Sequence, residues 1–330
     1  MSNVAVSYED SLEQLAALRT QFDTIERLVD PEATAARVAD LESEMNADGF
    51  WNDQGNAAKV GAEHTRQKRS EDQDGSWADG SVHGGQSSDI RSSLRQRGGP
   101  MNRLEDTLDL LRRQARPDQL EGMQRFGMAG EQRLGVSIPT LRRMARSLGP
   151  DHDLAQALWT TGIPDAQILG SMVAEPARLT ASQMNDWARQ ARSWDVCDQA
   201  CSNAHSRSPL AWGRVPVWAR SKDEFVRRAA FALIACLAVH DKSAANQRFI
   251  EALSMVEGAS DDDRNFVRKA VNWALRQIGK RNAPLHALAI AAAERIAARG
   301  TRSARWIAAD ALRELRTDAV RAAIERRRHA

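Results

Sequence analysis

Tyrosine is nearly missing from this chain, cysteine is scarce, and long apolar runs are absent. Tyr8 is the only tyrosine in 330 residues. The three cysteines, Cys197, Cys201 and Cys236, are too few and too odd in number for a disulfide framework. A reduced, cytoplasmic setting is expected. No apolar run approaches the roughly 20 residues that a bilayer span needs. Met1 to Asp10 lacks the basic and apolar stretches of a secretory signal. No P-loop, GxGxxG or GxSxG pattern occurs, and no cofactor is expected. Cys197, Cys201 and His205 are spaced by four. On one straight helix such ligands diverge rather than close a tetrahedron, so no metal is expected. Asp261-Asp262-Asp263 lacks the glycine and closing glutamate of a calcium loop and reads as a charge cluster at a helix N-terminus.

What is present is a large apolar fraction, 42%, and an uneven charge distribution beneath a net charge of only +2. Residues 1–100 carry 10 Lys and Arg against 18 Asp and Glu. Residues 101–330 carry 36 against 26, strongly biased to arginine. A basic region tied to an acidic one points to a polyanionic partner for the basic part; an ordinary arginine-rich surface is the alternative.

Three regions follow from the patterning. Residues 1–69 read as a helical hairpin, with Leu12, Leu15, Leu18, Phe22, Ile25 and Leu28 at helical steps and a restart at Asp30-Pro31-Glu32. Residues 70–100 are rich in Ser, Gly, Asp and Gln without an apolar period, and read as a disordered linker. Residues 101–330 read as helices joined by short turns, and they contain a repeat. Phe225-Val226-Arg227-Arg228-Ala229 recurs 41 residues on as Phe266-Val267-Arg268-Lys269-Ala270. Ala270 to Ala274 has a fainter copy 38 residues on, at Ala308 to Leu312. A period near 40 with two helices per unit predicts an all-α, HEAT-like α-solenoid. Arginines opening the second helix of each unit would line a groove suited to a DNA backbone.

The candidate chemistry lies in three segments. In Ser193-Trp194-Asp195-Val196-Cys197-Asp198, Trp194 and Asp198 share a helix face, and Asp195 points away from that pair. The alternative for Asp198 is a local role, as a cap or in a local pair with an arginine. In Asn265 to Asn282, Lys269, Arg276 and Lys280 form a basic stripe with Trp273 four residues after Lys269. A tryptophan there is otherwise a core residue. Arg227 and Arg228 are adjacent on a helix, which predicts that they are not both buried.

Together these segments resemble the AlkD family of DNA alkylation repair glycosylases, over roughly Leu120 to Leu315. The resemblance also rests on Gly135-Val136-Ser137-Ile138-Pro139-Thr140-Leu141-Arg142, Val239-His240-Asp241-Lys242 and Ala304-Arg305-Trp306-Ile307-Ala308. It implies a catalytic carboxylate at Asp198, site tryptophans at Trp194 and Trp273, and a DNA-backbone arginine at Arg228. With Arg227, Lys269, Arg276 and Lys280 added as further backbone contacts, these are the expected site residues. The chain departs from the resemblance at Phe225, where many members have tryptophan, and in having no second tyrosine. The implied substrate is double-stranded DNA carrying alkylated bases, cut without enclosing the base in a deep pocket, by a monomer in the bacterial cytoplasm at the nucleoid. A non-catalytic HEAT-like protein that binds damaged or branched DNA is the alternative.

Residues 8–64, with Glu42-Ser43-Glu44-Met45-Asn46-Ala47-Asp48-Gly49-Phe50-Trp51, resemble the N-terminal helical region of a bacterial peptide chain release factor. That resemblance implies a ribosome-associated role as a third reading. Gly84-Gly85-Gln86 matches the hydrolytic tripeptide of that family but lacks its flanking sequence, and reads as chance. Met101 is a natural start for the repair-like part.

Overall fold

The computed structural model describes Glu63, residues 100–128 and residues 132–328. The expected helical hairpin and linker therefore lie outside the described residues, Glu63 and Pro100 apart. All the rest belongs to the unit Ile90–Ala330. Among the described residues the regular structure is helical, with no strand.

The helices are α1 (Pro100–Arg113), α2 (Leu120–Arg125), α3 (Ile138–Leu148), α4 (His152–Thr160), α5 (Pro164–Val173), α6 (Ala181–Gln190), α7 (Trp194–Asn203), α8 (Ala211–Ala219), α9 (Glu224–His240), α10 (Asn246–Gly258), α11 (Asn265–Gly279), α12 (Ala283–Ala298), α13 (Arg302–Leu315) and α14 (Asp318–Arg328). Many of their starts are written locally. Ser137 accepts from the Thr140 amide, Asp151 from Leu154 and Asn282 from Leu285. Thr180 and Gln183 cap each other reciprocally. Each such cap satisfies a backbone donor that the helix itself leaves open, and is worth about 1 kcal/mol.

Helices α5, α7, α9, α11 and α13 pack side by side in chain order as an inner row. Helices α4, α8, α10 and α12 each pack on the inner helix that follows them. The 41-residue repeat predicted from Phe225 and Phe266 is met by α9 and α11, in which each phenylalanine is the second residue. Val226 and Val267, Ala229 and Ala270, and Leu237 and Ile278 are buried at matching positions. Helix α9 is buried almost all round, as its unbroken run Ala229–Ala238 requires. It has α7 and α11 on its flanks and α8 against it.

The outer helices are joined by aromatic stacking. Trp159 of α4 lies on Trp187 of α6 with centroids 4.2 Å apart and planes 6° from parallel. His205 continues the stack, 5.7 Å from Trp187 and 5.4 Å from Trp218 of α8. Two of the three indole nitrogens are satisfied sideways: Trp187 Nε1 donates to Gln156 and Trp218 Nε1 to Asn185. His205 is thus held among rings and does not converge with Cys197 and Cys201. Those two thiols donate instead to the carbonyls of Phe225 and Ala229 on α9.

Asp261, Asp262 and Asp263 precede α11, and the first two join neighbouring repeats rather than merely cap a helix. Asp261 pairs with Arg299 and accepts from Thr301 Oγ1 at 2.8 Å. Asp262 takes Arg264 at 2.6 Å and Arg227 at 3.2 Å.

Burial pushes the His205 imidazole down from 6.5 to about 3. Neither of its nitrogens has a hydrogen-bond partner among the described residues. The unfolded chain therefore binds a proton that the folded chain refuses between those two values, and stability falls as pH drops below 6.5. The slope is roughly 1.4 kcal/mol per pH unit over that window. Urea denaturation of His205→Phe against the parent at several acidic pH values should show this slope reduced by about one proton.

Candidate active site

Helix α7 opens at Trp194, and three contacts hold that end. Arg133, in the segment before α3, donates to Asp195 at 2.8 and 3.1 Å and to Ser193 Oγ at 3.1 Å. Arg133 and Asp195 are both buried. The same segment is tied to α5, where Asp165 accepts the amides of Leu134 and Val136, each at 2.7 Å. Gly135 lies between them at φ +78°, where a Cβ would fall 2.5 Å from the Arg116 carbonyl oxygen. Only glycine suits that approach. Finally, Trp194 Nε1 donates to the Phe126 carbonyl at 2.9 Å. Gly127, at φ +75°, lets this strap of chain lie against the Phe266 ring.

One turn along α7, Asp198 meets Arg228. Arg228 Nε donates to Oδ1 at 2.9 Å and Nη2 to Oδ2 at 2.7 Å, a bidentate pair. Nη1 donates to the Phe266 carbonyl at 2.6 Å, in the first turn of α11. The guanidinium carbon lies 5.9 Å from the centroid of the Trp194 ring. The Arg228 side chain is only 6% exposed and that of Asp198 is 17% exposed. Burial pushes the Asp198 carboxyl above its ordinary value; Arg228 pulls the other way without cancelling it, and Asp195 adds to the upward push. Each carboxylate oxygen accepts one arginine N–H and keeps a second lone pair. The group is therefore fixed in orientation while its rim stays reachable.

The structure thus brings Trp194, Asp198 and Arg228 together. Arg228 is buried and Arg227, its neighbour, is half-buried and turned to Asp262, in keeping with the prediction that the two are not both buried. Lys269 is exposed near the start of α11. Trp273 is half-buried, packed on the hydrophobic core, and makes no ring contact or side-chain hydrogen bond among the described residues. The basic stripe does not remain free. Arg276 and Lys280 both bind Glu314 of α13 at 2.6 Å. Burial would raise the Glu314 carboxyl, but Lys280 and Arg276 outweigh it and hold it below its usual value. Arg228, expected on a DNA phosphate, has all three nitrogens engaged within the protein. Phe225, at the position where tryptophan is common, stacks on Phe266 with centroids 5.6 Å apart.

A family model described as DNA alkylation repair enzyme matches residues 107–315. The chain belongs to that family. The match begins inside α1 and ends with α13, so it includes every helix of the inner row. No curated protein matches. One similar solved structure is described as a new family of proteins related to the HEAT-like repeat DNA glycosylases with affinity for branched DNA structures. It superposes with a TM-score of 0.53 at 21% identity, covering 58% of this chain and 82% of that one. What the two share at this identity is the HEAT-like repeat fold.

Within this repair-family frame, sequence reasoning missed Arg133 and the carbonyls of Phe126 and Phe266. No spacing signal connects them to α7 and α9, because the contacts span 62, 68 and 38 residues. Asp198 does pair with an arginine, but not with a local one: Arg228 lies 30 residues on.

Removing Arg228 would strand a buried carboxylate. Arg228→Met should cost about 3–5 kcal/mol of stability, and Asp198→Asn in the same chain should recover part of that loss. Urea denaturation of the parent, the two single variants and the double variant measures this coupling; additive losses would contradict it.

Proposed function

We propose that this chain is a monofunctional DNA glycosylase that hydrolyses the N-glycosidic bond of cationic N3- and N7-alkylated purines in double-stranded DNA. The observation that carries the reading is the Asp198 carboxylate, oriented by a buried arginine and set one helical turn from the Trp194 indole. An alkylated purine already bears positive charge and leaves without protonation, so no general acid is required. Cleavage builds cationic oxocarbenium character on the sugar. A preorganised carboxylate stabilises that charge and orients the attacking water. Arg228 keeps the carboxylate fixed, which makes it a positioning residue. The indole face of Trp194 attracts cationic edges of base and sugar, a contact worth about 0.5–2 kcal/mol. Trp273 enters as a second indole on family resemblance. Lys269 supplies a phosphate contact, while Arg227, Arg276 and Lys280 contribute less because Asp262 and Glu314 neutralise them. The reading needs no cofactor and a single copy of the chain, working in the cytoplasm at the nucleoid.

A second reading is a non-catalytic binder of damaged or branched DNA. What favours it is that Arg228 already offsets the Asp198 charge. The related solved structure is also described as having affinity for branched DNA. Release of free base from methylated duplex separates the two. The parent should release 7-methylguanine, and Asp198→Asn should lose most of that release while keeping duplex affinity. Equal release by variant and parent would remove Asp198 from its role. A parent that retains four-way junctions and releases no base would decide for the second reading.

The raised Asp198 carboxyl sets the pH dependence. The ionised carboxylate is the active form, so release should fall as pH drops. The midpoint should lie above the ordinary carboxylate value of about 3.9. A rate–pH profile under single-turnover conditions measures it.

A further inference from the structure

The inner row carries a second station built from the same parts. On α13, Trp306 stands four residues before Asp310, as Trp194 stands four before Asp198 on α7. In both places an arginine from the neighbouring inner helix lies against the indole: Arg228 at 5.9 Å from the Trp194 centroid, Arg268 at 4.8 Å from that of Trp306. The wiring differs. At the first station the guanidinium is locked to the carboxylate. At the second the carboxylate is taken by others: Asn272 donates to Asp310 at 2.6 Å, Arg276 lies 3.7 Å away, and Arg313 pairs with it.

Arg268 is therefore left without a carboxylate. It forms no ion pair among the described residues, and its one side-chain hydrogen bond is to Asn265 at 3.4 Å. Trp306 is 37% exposed, one of few large apolar side chains on the surface. Lys269 and Arg302 flank the pair, both exposed and without a carboxylate partner among the described residues. An exposed indole beside unneutralised cations is suited to a sugar–phosphate chain, the cations taking phosphate and the ring packing on sugar.

We propose that Arg268 and Trp306, with Lys269 and Arg302, form a second DNA-backbone contact that binds the duplex beside the lesion and takes no part in the chemistry. The proposal rests on the reading that this chain binds DNA. Neighbouring inner helices lie about 8–10 Å apart, and duplex DNA rises about 3.4 Å per nucleotide. On a duplex laid across the row, Arg268 therefore falls about three nucleotides from Arg228 and Trp306 about five. Asp310 is spent on Asn272, Arg276 and Arg313, so this station holds DNA and does not cut it.

The test uses the full chain, with fluorescence anisotropy on a labelled duplex carrying 7-methylguanine and on its unmethylated counterpart. Arg268→Gln and Trp306→Leu should each weaken binding about five- to tenfold, by the same factor on both duplexes. Arg268→Gln should also make the salt dependence shallower by about one ion. Base release at saturating protein should stay at the parental rate. Arg302→Gln, a change on an exposed side chain, gives a second reading if either variant folds poorly, and should weaken binding in the same sense. Parental affinity and salt slope in these variants would overturn the proposal and leave the glycosylase reading intact. A slower release rate at saturation with unchanged affinity would overturn it too. If the parent binds DNA without releasing base and the variants lose that binding, the contact stands and the glycosylase reading falls.

Discussion

The arrangement depends on one ion pair, Arg228 with Asp198, set into the largely buried helix α9. Helix α9 is flanked by inner helices on both sides, so a charged side chain there finds no water. Charge in such a place is tolerated only when every nitrogen is satisfied. Arg228 meets that demand with a carboxylate from α7 and a carbonyl from α11. The same three bonds set the lateral register of three successive repeats and hold a carboxylate at the rim between them.

Helix α7 carries two acids that face opposite partners. Asp198 turns to the following repeat, and Asp195 turns back to Arg133. The second pair works with the Phe126 carbonyl and the Asp165 clamp to immobilise the helix start where Trp194 sits. A carboxylate that is to stabilise developing charge gains from not having to reorganise. The surroundings of α7 supply that rigidity through polar contacts at its first turn, while the apolar faces behind it pack on α5 and α9.

Between α11 and α13 a row of polar contacts advances by one turn at a time: Arg268 with Trp306, Asn272 with Asp310, Arg276 and Lys280 with Glu314. The carboxylates lie toward the far end of the row, so positive charge remains uncompensated only near the starts of α11 and α13. A duplex is attracted most strongly where counter-charge is missing. The inner row thus presents its charge at one end of its helices and not as the continuous stripe that the one-dimensional pattern suggested.

Much of the fold was legible from residue order. The all-helical class, the repeat of about 40 residues, the start of α9 and α11 at the same point of the motif, and the placing of Trp194 and Asp198 on one face are local properties. Helical periodicity and the duplicated Phe-Val-Arg segment express them directly. The sequence alone also determined that Arg227 and Arg228 have different surroundings, since adjacent helical residues point about 100° apart. Only the tertiary structure decided which of the two is buried, which acid it binds, and that Arg276 and Lys280 are claimed by Glu314. It also decided that Trp273 packs on the core and that Arg133 anchors the site from 62 residues away. The physical reason is that the strength and partner of a buried charge depend on what neighbouring repeats exclude from water. That is a property of packing between helices, and no spacing along one helix carries it.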